Sequence, residues 1–243
     1  MSDMNALFDY FTTNAAFWLA LTLGFYAVGQ AIFKAAKFNL LFSPIITAVG
    51  CLSLTLVLRN VPYEQYFAGA GFIHFLLGPA TVALAVPLYE QRRKLAKLWL
   101  PLACGLFAGC AAAIVSVVLI GSLFGLSAET LLSMVPKSVT TPIAMGISES
   151  LGGMPDLTAA LVVLTGISGS IVAGPFFRLI RLRSDTLCGV ALGLAAHGMG
   201  TGAAFQISNR AGAFAGLAMG LCGVISAFMA PYLAVPLMRL LGY

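Results

Sequence analysis

In this chain of 243 residues, 60% are hydrophobic and only 9% are charged, and the mean hydropathy is +0.99. A water-soluble globular domain carries roughly 25% charged residues, so most of this surface does not face water. The net charge of +5 does not point to nucleic acid, because the basic residues sit in the gaps between apolar runs, where membrane topology needs them.

Residues 10–33, 39–58, 65–89, 98–128, 157–177, 186–209 and 211–238 contain no Asp, Glu, Lys or Arg. A helix needs about 20 apolar residues to cross a bilayer. None of these runs alternates in polarity as the strands of a membrane barrel do. The expected fold class is therefore all-α: a polytopic transmembrane helix bundle of about six spans plus two broken or re-entrant segments, in one membrane domain over 1–243. The first run lacks a basic n-region and a small-residue cleavage site, which suits a retained span rather than a signal peptide. The five cysteines (Cys51, Cys104, Cys110, Cys188 and Cys222) lie inside apolar runs without paired spacing and read as small buried hydrophobes.

Asp3 and Asp9 precede the first span, and Lys34 and Lys37 follow it, which places the N-terminus outside and the first loop in the cytoplasm. The second span, about 39–58, exits near Arg59. The third, about 65–89, returns to the basic cluster Arg92, Arg93, Lys94 and Lys97, an orientation signal and a contact for anionic lipid. Gly78 and Pro79 interrupt the third span, since proline removes a helical hydrogen bond. A fourth span, about 98–124, runs outward.

Segment 127–156 is different: it holds Glu129, Lys137, Glu149 and Asp156 with Pro136, Pro142, Gly152, Gly153 and Pro155. The next span, about 157–178, ends at Arg178, Arg181 and Arg183, which favour the cytoplasm. The middle segment then begins and ends outside, as an external loop or a re-entrant hairpin. Segment 186–210 has the same broken character, with Gly198 and Gly200 beside His197 and Arg210 at its end. The last span is about 211–238.

A shift of 60 residues aligns the two broken segments: Thr141 on Thr201, Ala144 on Ala204, Ile147 on Ile207, Ser148 on Ser208 and Gly152 on Gly212, with Lys137 on His197. The frame predicts an inverted repeat of approximately 127–183 and 186–243, the alternative being chance similarity in Gly- and Ala-rich sequence. Paired Gly/Pro-interrupted segments mark the binding site of secondary transporters, and unwound backbone at membrane depth is tolerated only where protein buries it or it lines a wet cavity.

No H-E-x-x-H, C-x-x-C, G-x-S-x-G or P-loop occurs, so no enzyme activity, metal or cofactor is expected. Lys137, among Ser138, Thr140 and Thr141, suits a small carboxylate at a helix break; the alternative is an ordinary loop lysine. His197 and Thr201 join them as expected substrate ligands. Glu149 and His197 are expected to couple an ion or proton, or, respectively, to be a solvated carboxylate and a packed imidazole. His74 reads more readily as packing, and Arg210 as a snorkelling edge residue.

The stretches Leu77-Gly78-Pro79-Ala80-Thr81-Val82-Ala83-Leu84-Ala85-Val86-Pro87-Leu88-Tyr89, Pro136-Lys137-Ser138-Val139-Thr140-Thr141-Pro142-Ile143-Ala144-Met145 followed by Gly152-Gly153, and Gly189 to Gly202 resemble the signature blocks of the LrgB/CidB family, over about residues 40–238. The resemblance implies a multi-pass protein of the bacterial inner membrane, described as an antiholin-like or holin-like modulator of murein hydrolase activity and autolysis. It equally implies a transporter of small monocarboxylates (glycolate, glycerate, pyruvate or lactate), since a plastid relative exchanges glycolate and glycerate. Its expected partners are the lipid bilayer, a small LrgA/CidA-type membrane protein, a small carboxylate anion and further copies of itself, with no nucleic acid.

Overall fold

The computed structural model describes residues 14–36, 42–76, 79, 82, 83 and 85–243. The chain divides into two compact units, Met1–Ala83 and Leu84–Tyr243. Gly78 and the side chain of His74 lie outside the described residues.

The described part of the first unit is helical: α1 Ala15–Ala35, α2 Pro44–Arg59 and α3 Tyr63–Phe75. Asn14 caps α1, its side-chain oxygen accepting from the Ala16 N–H at 3.0 Å, as short polar residues do at helix starts. Pro44 opens α2, where its missing N–H is not needed, and Asn60 ends it in the left-handed region (φ 51), a conformation asparagine tolerates. Trp18 on α1, 1% exposed, meets the edge of Tyr66 on α3 with ring centroids 5.7 Å apart. Gly69 lets α3 approach, because a Cβ there would lie 2.8 Å from Trp18 Cδ1.

The second unit contains α4 Ala85–Glu90, α5 Arg92–Leu123, α6 Ala128–Met134, α7 Thr141–Leu151, α8 Pro155–Leu179, α9 Asp185–Ile207 and α10 Asn209–Leu240. The third span expected at 65–89 falls across α3, α4 and the segment between them. Helices α5 and α10 are the long members, 32 residues each, or about 48 Å at 1.5 Å per residue. They run parallel: Leu106 and Cys110 pack with Ala218 and Cys222, and further along Ile114, Val117 and Val118 share a core with Ala230 and Ala234. Helix α8 runs the other way, its Val162 in the core at the far end of α10 and its Phe177 packed with Ala211 and Ala215 at the near end.

Among the described residues, five helices are long and apolar enough to cross a membrane: α1, residues 96–123 of α5, α8, α9 and α10. Length misleads for α9. Ser208 at its end donates to the Asp185 carboxylate at its start over 2.8 Å, although the two lie 23 positions apart, and a continuous helix would separate them by about 35 Å. The chain turns at Ala196 (φ −131, ψ 15) and His197 (φ 41, ψ −125), so the second half returns along the first. A Cβ on Gly200 would collide with the Leu192 carbonyl eight residues earlier.

Segment 127–151 doubles back as well. The Thr158 hydroxyl lies 3.0 Å from the Ser133 carbonyl and 2.7 Å from the Ser148 hydroxyl, two residues that a straight helix would hold roughly 22 Å apart. Both broken segments are thus re-entrant hairpins, of the two forms open for the first.

The hairpins open at opposite ends of the α5/α10 pair. At the mouth of the first, Leu126 and Leu131 pack with Leu233, Leu237 and Met238 at the end of α10. At the mouth of the second, the Lys94 ammonium at the start of α5 donates to the Thr186 hydroxyl at 2.7 Å and sits 5.8 Å from the centre of the Phe214 ring. Arg92, Arg93, Lys94, Lys97, Arg178, Arg181, Arg183 and Arg210 all fall at this second end by helix position, whereas Glu129, Glu149 and Asp156 belong to the opposite half. Of the cysteines, Cys110, Cys188 and Cys222 are buried, Cys51 is half-buried and Cys104 is exposed.

In a cysteine-free background, single cysteines replacing Ser127 and Ser184 are expected to react with a membrane-impermeant maleimide from opposite faces of the bilayer. Labelling of both from one face would contradict the opposed hairpins.

Candidate functional site

The two hairpin turns define the site. In the first, the chain leaves helical geometry between α6 and α7, bridged by turns in which Lys137 N–H reaches the Met134 carbonyl at 3.1 Å and Val139 N–H the Pro136 carbonyl at 3.1 Å. Pro136 lies within this interruption. Pro142 instead occupies the first turn of α7, where it starts the helix. In the second hairpin the interruption falls at Ala196–His197 rather than at Gly198 or Gly200, which are helical. His197 adopts a positive φ without being glycine, a costly state that surrounding contacts must enforce. Its Nε2 lies 3.0 Å from the Val162 carbonyl of α8, and Gly166 makes room, since a Cβ there would lie 2.8 Å from the imidazole Cε1. Lys137 and His197, paired by the 60-residue frame, therefore occupy the two turns.

Lys137 is half-buried and lines an open cavity of about 420 Å³ with Leu161, Thr165 and Ser168 of α8 and Ala195 of the second hairpin. Among the described residues, no hydrogen bond or ion pair reaches the Lys137 ammonium. His197 does not line this cavity. Val162, Gly166 and Gly169 present an adjacent face of α8 to the second hairpin: Val162 and Gly166 meet His197, and Gly169 meets Ala196. Thr201 donates to the His197 carbonyl at 2.9 Å and so holds the turn.

The other expected ligands are dispersed. Ser138 lines a separate, much smaller space with Cys110, Cys222, Ser226 and Leu194. Thr140 and Thr141 sit half-buried at the start of α7. Glu149 is exposed near the end of α7, and among the described residues it makes no ion pair with Lys137. The sequence reading missed Thr165 and Ser168. The run 157–177 holds four hydroxyl residues, Thr158, Thr165, Ser168 and Ser170, and their spacing does not single out the two that reach the cavity. Among the described residues, no cluster of three or more His, Cys, Asp or Glu could hold a metal ion.

These features define a polytopic helical membrane protein with two opposed re-entrant hairpins converging beside α8. The chain belongs to the LrgB-like family, whose sequence profile matches residues 22–235. It is 35% identical over 213 residues to "Uncharacterized protein YxaC" of Bacillus subtilis, covering 88% of this chain and 92% of the relative. It is 31% identical over 220 residues to "Antiholin-like protein LrgB" of Bacillus mycoides, covering 90% of this chain and 96% of the relative. A Haemophilus influenzae protein is 34% identical over 222 residues, covering 91% and 92%. No solved structure matches.

The Thr158 hydroxyl, fully buried, fastens the first hairpin to α8. Thr158→Val removes that link and leaves the Ser148 hydroxyl and the Ser133 carbonyl without it, so a loss of about 1–3 kcal/mol is expected, read as a lowered thermal-unfolding midpoint of the detergent-solubilised protein.

Proposed function

We propose that this protein transports small monocarboxylates of the glycolate, glycerate, pyruvate or lactate class across the bacterial inner membrane. The observation that carries the reading is the unpaired Lys137 ammonium at the tip of a re-entrant hairpin, lining a cavity with the tip of an oppositely oriented one. An ammonium at the bilayer centre costs about 2.5–3.5 kcal/mol on insertion scales. A carboxylate in the cavity supplies the missing partner, and the size of the cavity fits a small anion with a few waters. The hairpin-and-helix units 127–183 and 186–243 act in this reading as an inverted repeat, the arrangement that lets a midplane site face either side. The eight basic residues at one end of the second unit favour the cytoplasm for that end, and the reading keeps the N-terminus outside, as the charges around the first span suggest.

Purified protein in liposomes is expected to show saturable uptake of radiolabelled pyruvate or lactate, and Lys137→Ala to reduce it at least tenfold. Uptake by Lys137→Ala equal to that of the parent refutes the carboxylate site. Coupling is assigned to His197, at the turn of the second hairpin, and to Glu149, near the end of α7. A proton gradient is expected to accelerate uptake in the parent and to have no effect in the double variant His197→Gln/Glu149→Gln.

The name of the Bacillus mycoides relative, matched over 96% of its length, favours a second reading: an antiholin-like modulator of murein hydrolase activity and autolysis, assembled as a homo-oligomer with a small LrgA/CidA-type membrane protein. That role needs no substrate site. Unsaturable leakage of unrelated solutes from the same liposomes, indifferent to Lys137→Ala, is the result that supports it over transport.

A further inference from the structure

Thr165 and Ser168 lie three residues apart on α8 and so on one face of the helix, where both line the Lys137 cavity. Other hydroxyls on the helices of this chain are satisfied locally. Thr55, Ser116, Ser122, Ser150 and Thr201 each donate to a carbonyl three or four residues back in their own helix, at 2.7–3.0 Å. This is the usual way for a hydroxyl to satisfy itself in an apolar setting. Among the described residues, neither Thr165 nor Ser168 has a hydrogen-bond partner. The rest of the cavity wall is apolar or small: Met134, Leu161, Leu164, Val172, Gly169 and Ala195. One cation and two free hydroxyls thus meet in an apolar recess, and hydrocarbon chains packed there would leave all three unpaired.

From this juxtaposition we propose that Thr165 and Ser168 determine specificity by binding the oxygen on carbon 2 of the substrate. The site then takes 2-hydroxy and 2-oxo monocarboxylates and discriminates against unsubstituted ones. This deepens the carboxylate reading above and rests on it. With the carboxylate on Lys137, the 2-oxygen of lactate pairs with the α8 hydroxyls and its methyl group meets the apolar wall. Propionate, which lacks only that oxygen, leaves the hydroxyls unpaired, and a site built to hydrogen-bond an oxygen rejects the analogue without it.

Uptake of labelled lactate and labelled propionate into liposomes tests the assignment directly. The parent is expected to favour lactate in kcat/KM by roughly tenfold or more, the effect of one well-made hydrogen bond together with the penalty of leaving it unmade. Thr165→Val/Ser168→Ala is expected to collapse the ratio of lactate to propionate kcat/KM to about one, because lactate loses its hydrogen bond and propionate no longer leaves a hydroxyl unpaired. Thr165→Ser, which keeps the hydroxyl, should retain the preference. An unchanged lactate preference in the double variant overturns the assignment, as does a parent that carries both acids equally; in both cases carboxylate transport itself stands. A parent that carries neither acid saturably overturns the carboxylate reading and this one together. If the double variant loses its thermal transition in detergent, the single variant Ser168→Ala, at an exposed position, takes its place with the same two outcomes.

Discussion

Inside a bilayer no water is present to satisfy a backbone that stops being helical, and among its described residues the second unit turns back on itself in two hairpins. Everything else in the second unit follows from how those interruptions are fastened. The first is tied by hydroxyls: Thr158 lies between the Ser133 carbonyl and the Ser148 hydroxyl, and the Ser133 hydroxyl accepts from the Met154 N–H at 2.7 Å. The second is tied by close approach: a side chain on Gly189 or Gly193 would run into the backbone of α10 at Ala211 and Ala215, and Asp185 and Ser208 close its mouth. Small residues permit such contacts between membrane helices, where packing rather than the hydrophobic effect drives association.

The two fastenings leave different surroundings. The second hairpin lies between α8 and α10, its turn buried at Ala196 and His197 and its interior filled by Leu192 and Ala204. The first presents Lys137 to a cavity along α8. One turn therefore serves mainly as a wall and the other as the place where charge is offered. This division of labour lets two similar segments contribute unequally to one site.

Much of this was legible in the sequence because the signals were covalent or electrostatic. Pro136 cannot donate to a ladder, glycines gathered around His197, and charge-free runs alternated with basic clusters, so the spans, the broken segments and their opposed placement could all be argued from residues. The details that failed to show are those set by packing. The second interruption falls at Ala196–His197 although Gly198 and Gly200 are the better helix breakers, because Gly200 is needed where the chain passes the Leu192 carbonyl, and His197 is held in its unfavourable conformation by α8. Ser138, Thr140 and Thr141 adjoin Lys137 in sequence but do not line its cavity, since a chain that turns sends successive side chains in different directions. Thr165 and Ser168 reach the cavity from a different helix, and no local pattern announces that.

Lys94 belongs to the basic cluster at the start of α5, and it also joins three helices through Thr186 and Phe214. The hydroxyl it reaches lies 92 positions further along the chain, so the start of α5 can be fastened only once the second hairpin has been made. The junction therefore ties the first turn of α5 to the arrival of the last two helices, so that a contact made by the earliest part of a long helix is among the last to close.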